Sequence, residues 1–536
     1  MSRRRERENP RPAAAGPAAT AAPPAKRPWL LVAGVLAAAA LAWFAADVLV
    51  RRVQAARLPE PPAVGAVAPA VAALIAEADR AARRQPTSAD AIGELALAYH
   101  ASDLADIADR VYAIAESLSP GWRWTYYRGL LHEEHGRQPE ALAAYTRVTA
   151  ADPSNGLAWF HIAEIAFKEG RLDAAEQAYA RAQDAPAVAP FSVSGVTHQG
   201  VPLTAYAALG LARIAIERGQ SDQARARLEP IVKAQPRFGP ARALLGQVQG
   251  TDNGPKASPA PSRGLRAYVP PADPYLDAVV ARSRQSDLLL KHAALAARGG
   301  DQPWRELLVR RALESNPEAL DVLLEMAATL QAAGRHDQAL EYLKHCEQVA
   351  PDDHHVLVEE GKTLADLGRL DEAERVLRRA VRVRDAAAEY NLGTVLDHLG
   401  REDEARNHYE QALAIDPFHA RAMNNLGVLR DKHGDAAGAT ALFIRALQVD
   451  PEDPEVLSNF GISLINQRRY AEALRLLETA VASDPIAPDA RNNLGIALAQ
   501  SGRLDEARQQ FSEALRLDPK HQGARDNLAA LDRHDR

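Results

Sequence analysis

The 536-residue chain holds one cysteine, Cys346, and only 5% aromatic residues. A single thiol excludes an intramolecular disulfide framework, a CxxC redox pair, a Cys-rich zinc site and a CxxCH haem attachment. The shortage of aromatics beside abundant Ala and Leu fits packed helices and fits a β-sandwich or barrel poorly. No GxGxxG, Walker loop, GxSxG or paired-carboxylate constellation falls between a strand and a helix, so no catalytic residue, cofactor or small-molecule substrate is expected. A basic excess is also missing. The net charge is −6, and residues 1–60 alone carry +6, which leaves −12 over residues 61–536. A folded part with that balance has no basic face for phosphates, so nucleic acid is not an expected partner. What the chain has in quantity is ordinary globular material, 47% hydrophobic and 25% charged, which excludes wholesale disorder.

The N-terminal charge has its own context. Residues 1–28 are rich in Arg, Ala and Pro without apolar periodicity and read as a disordered basic tail. From Trp29 to Val50 only Asp47 is charged, and a helix over 29–50 spans roughly 33 Å, enough for a bilayer core. Trp29 stands at one end and Arg51-Arg52 at the other. The heavier basic flank is N-terminal, so the positive-inside rule places the N-terminus in the cytoplasm. The expectation is a single-pass helix in a bacterial inner membrane with everything beyond it periplasmic. A cleaved signal peptide is the rival, although its apolar core is normally 7–15 residues. Inverted topology, with a cytoplasmic regulator, is a further alternative. Residues 51–68 form a linker rich in Pro and Ala.

Beyond residue 68 the chain repeats. Prolines close the segments at Pro317, Pro351, Pro417, Pro451, Pro485 and Pro519, spaced by 34 residues or about twice that. Twenty-four residues before each stands a small residue: Ala293, Ala327, Gly393, Gly427, Gly461 and Gly495. Alanines follow twelve residues later, at Ala339, Ala405, Ala439, Ala473 and Ala507 among others, and a Gly commonly falls between, as at Gly334, Gly368, Gly400, Gly434 and Gly502. Each unit reads as two amphipathic helices whose small residues allow close approach. The intervening Gly ends the first helix in a left-handed conformation.

This period and punctuation resemble the tetratricopeptide repeat, and Asn492–Lys520 (NNLGIALAQSGRLDEARQQFSEALRLDPK) is close to its consensus. The resemblance implies an all-α superhelical solenoid with a concave inner face. Residues 69–249 form a looser N-terminal array of about four repeats, interrupted by an insertion at 184–203. A Pro/Gly-rich linker at 250–273 lets the arrays pivot, and residues 274–533 form a C-terminal array of seven repeats and a closing helix. In this family the first helix of each unit, helix A, lines the concavity, and the residue two before the small glycine points into it. That position holds Asn391, Asn425, Asn459, Asn493 and Asn527. A row of amides offers donors and acceptors to the backbone of an extended peptide. The row is similar to the asparagine ladder in the repeat domain of O-linked N-acetylglucosamine transferase, and it implies peptide-binding residues; the alternative is that Asn is kept there for local hydrogen bonds. Upstream the register gives Lys291, Glu325 and Glu359, so the row stops there. A carboxylate clamp would need Lys and Arg that are absent apart from Arg421.

Other features have bland readings. His132-Glu133-Glu134-His135 lacks the spacing of HExxH, and His354-His355 lie at a repeat junction; an adventitious metal site is the alternative in both. Cys346 occupies a position usually taken by Ala and reads as a small buried hydrophobe. The arginines 375, 378, 379, 382 and 384 read as a solvated face or an acidic-partner patch. The insertion reads as a surface loop or as a cap on the N-terminal groove. Together these point to a non-enzymatic, membrane-anchored scaffold whose partner is a protein or extended peptide client. The layout is similar to helpers of cytochrome c maturation or exopolysaccharide export, with a metal-dependent enzyme the remaining alternative.

Overall fold

The structure is a computed structural model describing residues 28–63, 67–119, 121–187, 189–198, 200–235, 238–250 and 271–534. Apart from one two-stranded hairpin, the described elements are helices, as the low β-propensity of an Ala/Leu-rich sequence dictates. Helix α1 (Pro28–Arg57) leads to α2 (Pro69–Arg84). Four helical pairs follow: α3 (Ala89–His100) with α4 (Ala105–Leu118), α5 (Trp122–Glu134) with α6 (Gln138–Ala151), α7 (Gly156–Lys168) with α8 (Leu172–Asp184), and α9 (Leu203–Glu217) with α10 (Ser221–Ala234). Then come α11 (Gly239–Gly250) and the short α12 (Pro274–Arg282). Seven further pairs run α13 (Ser286–Gly299)/α14 (Gln302–Ser315), α15 (Leu320–Ala332)/α16 (His336–Val349), α17 (His354–Asp366)/α18 (Leu370–Ala380), α19 (Ala386–His398)/α20 (Glu402–Ile415), α21 (Ala420–Lys432)/α22 (Ala436–Val449), α23 (Pro454–Asn466)/α24 (Tyr470–Ser483) and α25 (Pro488–Gln500)/α26 (Leu504–Leu517). The closing helix is α27 (Gln522–His534).

Each first helix packs on its own second helix and on the second helix of the preceding pair, and successive first helices also touch one another. That lateral contact draws the A helices together and makes theirs the concave side. The small residue in helix A has a definite partner sixteen residues on. A Cβ added to Gly393, Gly427 or Gly495 would come within 2.5–2.9 Å of the rings of Tyr409, Phe443 or Phe511, and at Gly361 and Gly461 the intruder is Leu377 or Leu477. The glycine therefore makes room for one large buried side chain of helix B, not only for a close backbone approach. The turn between helices has φ of +71° to +83° at Gly334, Gly368, Gly400, Gly434 and Gly502; the corresponding position in the sixth pair is Arg468, at φ +62°. Cys346 is buried in α16, where desolvation pushes its thiol up to about 11, as suits an inert hydrophobe.

Three expectations need correction or limits. Residues 1–27 and 251–270, which hold the basic tail and most of the linker, lie outside the described residues. So do the side chains of residues 28–34, where the proposed span begins. Among the described residues no helix is long and apolar enough to cross a membrane, so the membrane-spanning helix at 29–50 is not supported. The two arrays are also in direct contact across the linker. The chain from Pro271 through α12 packs into the inner side of α3 and α5, and Val279 is part of the N-terminal core. Arg282 donates to Glu94 at 2.8 Å, and the Gln285 side chain donates to the Ser102 carbonyl at 2.6 Å.

The insertion braces the same joint. Strands β1 (Ser192–Val193) and β2 (Val196–Thr197) pair antiparallel, with Ser192 opposite Thr197, around a two-residue turn in which Ser194 and Gly195 both have positive φ. Phe191 meets the Trp304 ring edge-on, and His198 stacks on its face at 5.2 Å with 6° between planes. His198 Nδ1 lies 2.8 Å from Asp277, whose carboxylate holds the imidazole above its ordinary range against the effect of burial. The insertion is thus a surface segment, none of its described residues being fully buried, that packs one side against the joint.

Candidate peptide groove

The C-terminal concavity is built from helices A placed side by side by the 34-residue period. Between α17, α19 and the start of α21 the inner face opens into a cleft of about 620 Å³, lined by Glu359, Lys362, Tyr390, Asn391, Thr394 and Arg421 among others. Tyr390 leans against His419 at 4.9 Å between ring centroids. Further along, the face stays polar. Ser463 donates to Asp431 at 2.8 Å and Asn466 donates to the same carboxylate at 3.3 Å, while Gln331 donates to Thr363 at 2.6 Å. Donors and acceptors joined across neighbouring helices line a surface suited to a peptide main chain.

All five asparagines lie half-buried on the A helices, and they differ in what they touch. Asn391 lines the cleft and makes no side-chain hydrogen bond among the described residues. Asn425 donates to the Tyr409 hydroxyl at 3.3 Å, on the second helix of the preceding pair. Asn459 donates to the Asn424 side chain at 3.1 Å, and Asn527 to the Asn492 side chain at 2.9 Å. Asn493 accepts from Asn492 over 3.5 Å. The row thus has a second row beneath it: Asn424 and Asn492 are buried, one residue earlier in their helices, and receive the amide of the next repeat. Pure peptide display would leave both rows free. Here three of the five amides donate within the protein, tying repeat to repeat, Asn493 only accepts, and among the described residues Asn391 does neither. Upstream, Glu325 is taken by Arg305 at 2.8–2.9 Å and Glu359 by Gln331 at 3.2 Å and Lys362 at 3.3 Å.

The other candidates are taken up by neighbouring side chains. His132 Nε2 stands 3.1 Å from Asp109 and His135 Nε2 3.1 Å from Asp103, each partner belonging to the preceding pair or its turn. His354 and His355 lie against each other at 3.9 Å. Among the described residues no group of three or more His, Cys, Asp or Glu side chains is arranged to hold a metal ion. Arg378 pairs with Glu374 and Glu404, and Arg379 with Glu347, so these two arginines bind neighbouring repeats together.

Stacked hairpins with an inner groove of polar side chains define an α-helical repeat protein of the protein-interaction class. The tetratricopeptide repeat pattern matches residues 95–155, 128–190, 205–230, 355–417, 384–452 and 459–521, more than half of the chain, and the chain belongs to that family. No curated protein matches in sequence. Among solved structures, the chain is similar to the APC/C hetero-tetramer Cut9–Hcn1, with 14% identity over 80% of this chain and 93% of that one and a TM-score of 0.40. It is similar to a tetratricopeptide repeat protein from Parabacteroides merdae, with 14% identity, 46% and 98% coverage and a TM-score of 0.38. It is similar also to pilF of Pseudomonas aeruginosa, with 19% identity, 40% and 98% coverage and a TM-score of 0.36.

Proposed function

We propose that this protein is a non-enzymatic scaffold that holds an extended polypeptide in the concavity of its C-terminal array. The observation that carries this reading is the open cleft between α17, α19 and α21, of mixed polar and apolar lining, where Asn391 lines the wall while the equivalent amides downstream are partly engaged. A main chain laid along the A helices meets amides, hydroxyls and carboxylates at the spacing of one repeat and is held without reading its sequence. Such a protein presents a client to another machine, as an assembly helper does. Helix α1, whose Val35, Leu36, Leu41, Trp43, Phe44 and Leu49 are all more than 60% exposed, would tether it in an inner membrane with the repeats on the periplasmic side.

Replacing Asn391 and Asn493 by Ala in the full chain tests the groove. Two lost hydrogen bonds of about 1 kcal/mol each weaken binding of a permanently unfolded polypeptide by tenfold or more, with melting nearly unchanged for Asn391→Ala alone. Equal affinity in the double variant would remove the amide row from the account. For the tether, a reporter fused to the C-terminus and active only outside the cytoplasm should report activity; a cytoplasm-only signal overturns that orientation.

A further inference from the structure

The N-terminal array also has an inner groove, and it is full. Its occupant is the chain's own segment Pro271–Arg282, laid across the A helices α3 and α5. The segment enters as a ligand would. Asp273, only 5% exposed, caps α12 by accepting from the Tyr275 and Leu276 amides through one oxygen. Its other oxygen accepts from the Tyr126 hydroxyl at 2.6 Å and lies 3.5 Å from Nε2 of His161. Behind it, His161 Nδ1 is 2.7 Å from Glu133, and Glu133 also accepts from the Tyr145 hydroxyl at 3.0 Å. Burial disfavours a charged imidazole, but the two carboxylates outweigh it and hold His161 up at about 10, so the groove carries a cation facing Asp273. Next to the carboxylate, the Tyr275 ring sits in an aromatic pocket, 5.6 Å from Trp122, 4.8 Å from Tyr126 and 5.5 Å from Tyr127. On the far side the insertion closes over the segment: a Cβ on Gly200 would come 2.8 Å from that of Ala272.

We propose that the N-terminal groove is a receptor for an Asp-Pro-aromatic segment and that residues 271–282 occupy it in cis as a reversible clasp. It offers a hydroxyl and an imidazolium as donors to the carboxylate and an aromatic cage to the ring. While the clasp is shut, the N-terminal groove is closed to any other chain and the second array is held at a fixed angle to the first. A partner segment with the same carboxylate-proline-aromatic chemistry competes for the groove and releases the second array.

The test uses the full chain with spin labels on Ala151→Cys and Gln338→Cys, both exposed and one in each array. It also uses a fluorescent peptide of residues 271–283 (PADPYLDAVVARS). The intact chain should show one narrow inter-label distance and no peptide binding. Asp273→Ala should broaden the distribution at least twofold and bind the peptide, and a peptide with Ala in place of its Asp should bind at least tenfold more weakly. Tyr275→Ala, which leaves the buried carboxylate in place, should open the clasp to a lesser degree and serves if Asp273→Ala does not fold. A narrow distance in the folded variants, or failure of either folded variant to bind the peptide, overturns the proposal.

Discussion

The two arrays are built from the same hairpin and use their inner faces in opposite ways. In the N-terminal array the inner face carries aromatic rings buried beneath the chain's own segment, Tyr126 and Tyr127 against Tyr275, with a charge cluster sealed beside them. In the C-terminal array the same face opens into a cleft of mixed polar and apolar lining, and its polar side chains hydrogen-bond along the solenoid. A repeat fold therefore fixes where a groove lies without fixing whether it is free. Occupancy is decided by the residues that line it and by whether another segment of the chain carries the complementary group.

The sharpest way to break this contrast is to remove His161. His161→Leu leaves Glu133 and Asp273 facing each other without their cation, and a loss of roughly 3–5 kcal/mol is expected, localised to the first array. Urea unfolding followed by hydrogen exchange would show the first array opening early while α19–α27 stay protected; a uniform small shift would contradict the assignment. A titration separates the arrays next. Because His161 is held up at about 10 from an ordinary 6.5, its contribution is complete below pH 6.5 and is lost as the pH rises through 10. Burial works against Glu133, yet His161 and Tyr145 hold it down at about 2 from an ordinary 4.5, so its contribution is complete above pH 4.5 and is lost as the pH falls toward 2. Stability of the joint should therefore be greatest between those ordinary values and decline on both sides, measured by thermal melting of the full chain against His161→Leu, which should show a flatter profile.

Smaller effects belong to the C-terminal array. Asn459→Ala removes one half-buried bond to Asn424 and should cost about 1 kcal/mol, read as a lowered unfolding midpoint; no change would mean that the amide tie between repeats is not stabilising. Arg468→Gly should stabilise by about 0.5–1 kcal/mol, because a non-glycine residue there holds a left-handed backbone that its sister turns assign to Gly. A destabilised variant would mean that the Arg side chain contributes more than the strain removes.

The solenoid was legible because its signals are local and periodic. Pro at 34-residue intervals, a small residue before it and Gly in the turn each act within one hairpin, and the hairpins appear where that punctuation places them. What the small residue faces was less legible: Gly427 gives no sign in itself that its space is filled by Phe443, although the sixteen-residue offset to a large apolar side chain recurs in every glycine-bearing pair of this array. The amides were found by position, but their internal bonds were not. The Asn-Asn doublets at 424–425 and 492–493 were the available sign that two rows stack. The joint was missed because its hydrogen bonds join residues 79 to 188 apart, as between His198 and Asp277 or Glu94 and Arg282, and a Pro-rich stretch looks like a spacer. Asp273-Pro274 is nevertheless a helix-start signal, a capping carboxylate followed by Pro at the first helical position, and it marked the end of the linker.

The most direct measurement is hydrogen–deuterium exchange of the full chain with and without a saturating, permanently unfolded polypeptide. Slowed exchange confined to α17, α19, α21, α23 and α25, with α3, α5 and α7 unchanged, is the expected result. Protection of the N-terminal helices in place of those would mean that the client enters the groove assigned here to the chain's own segment.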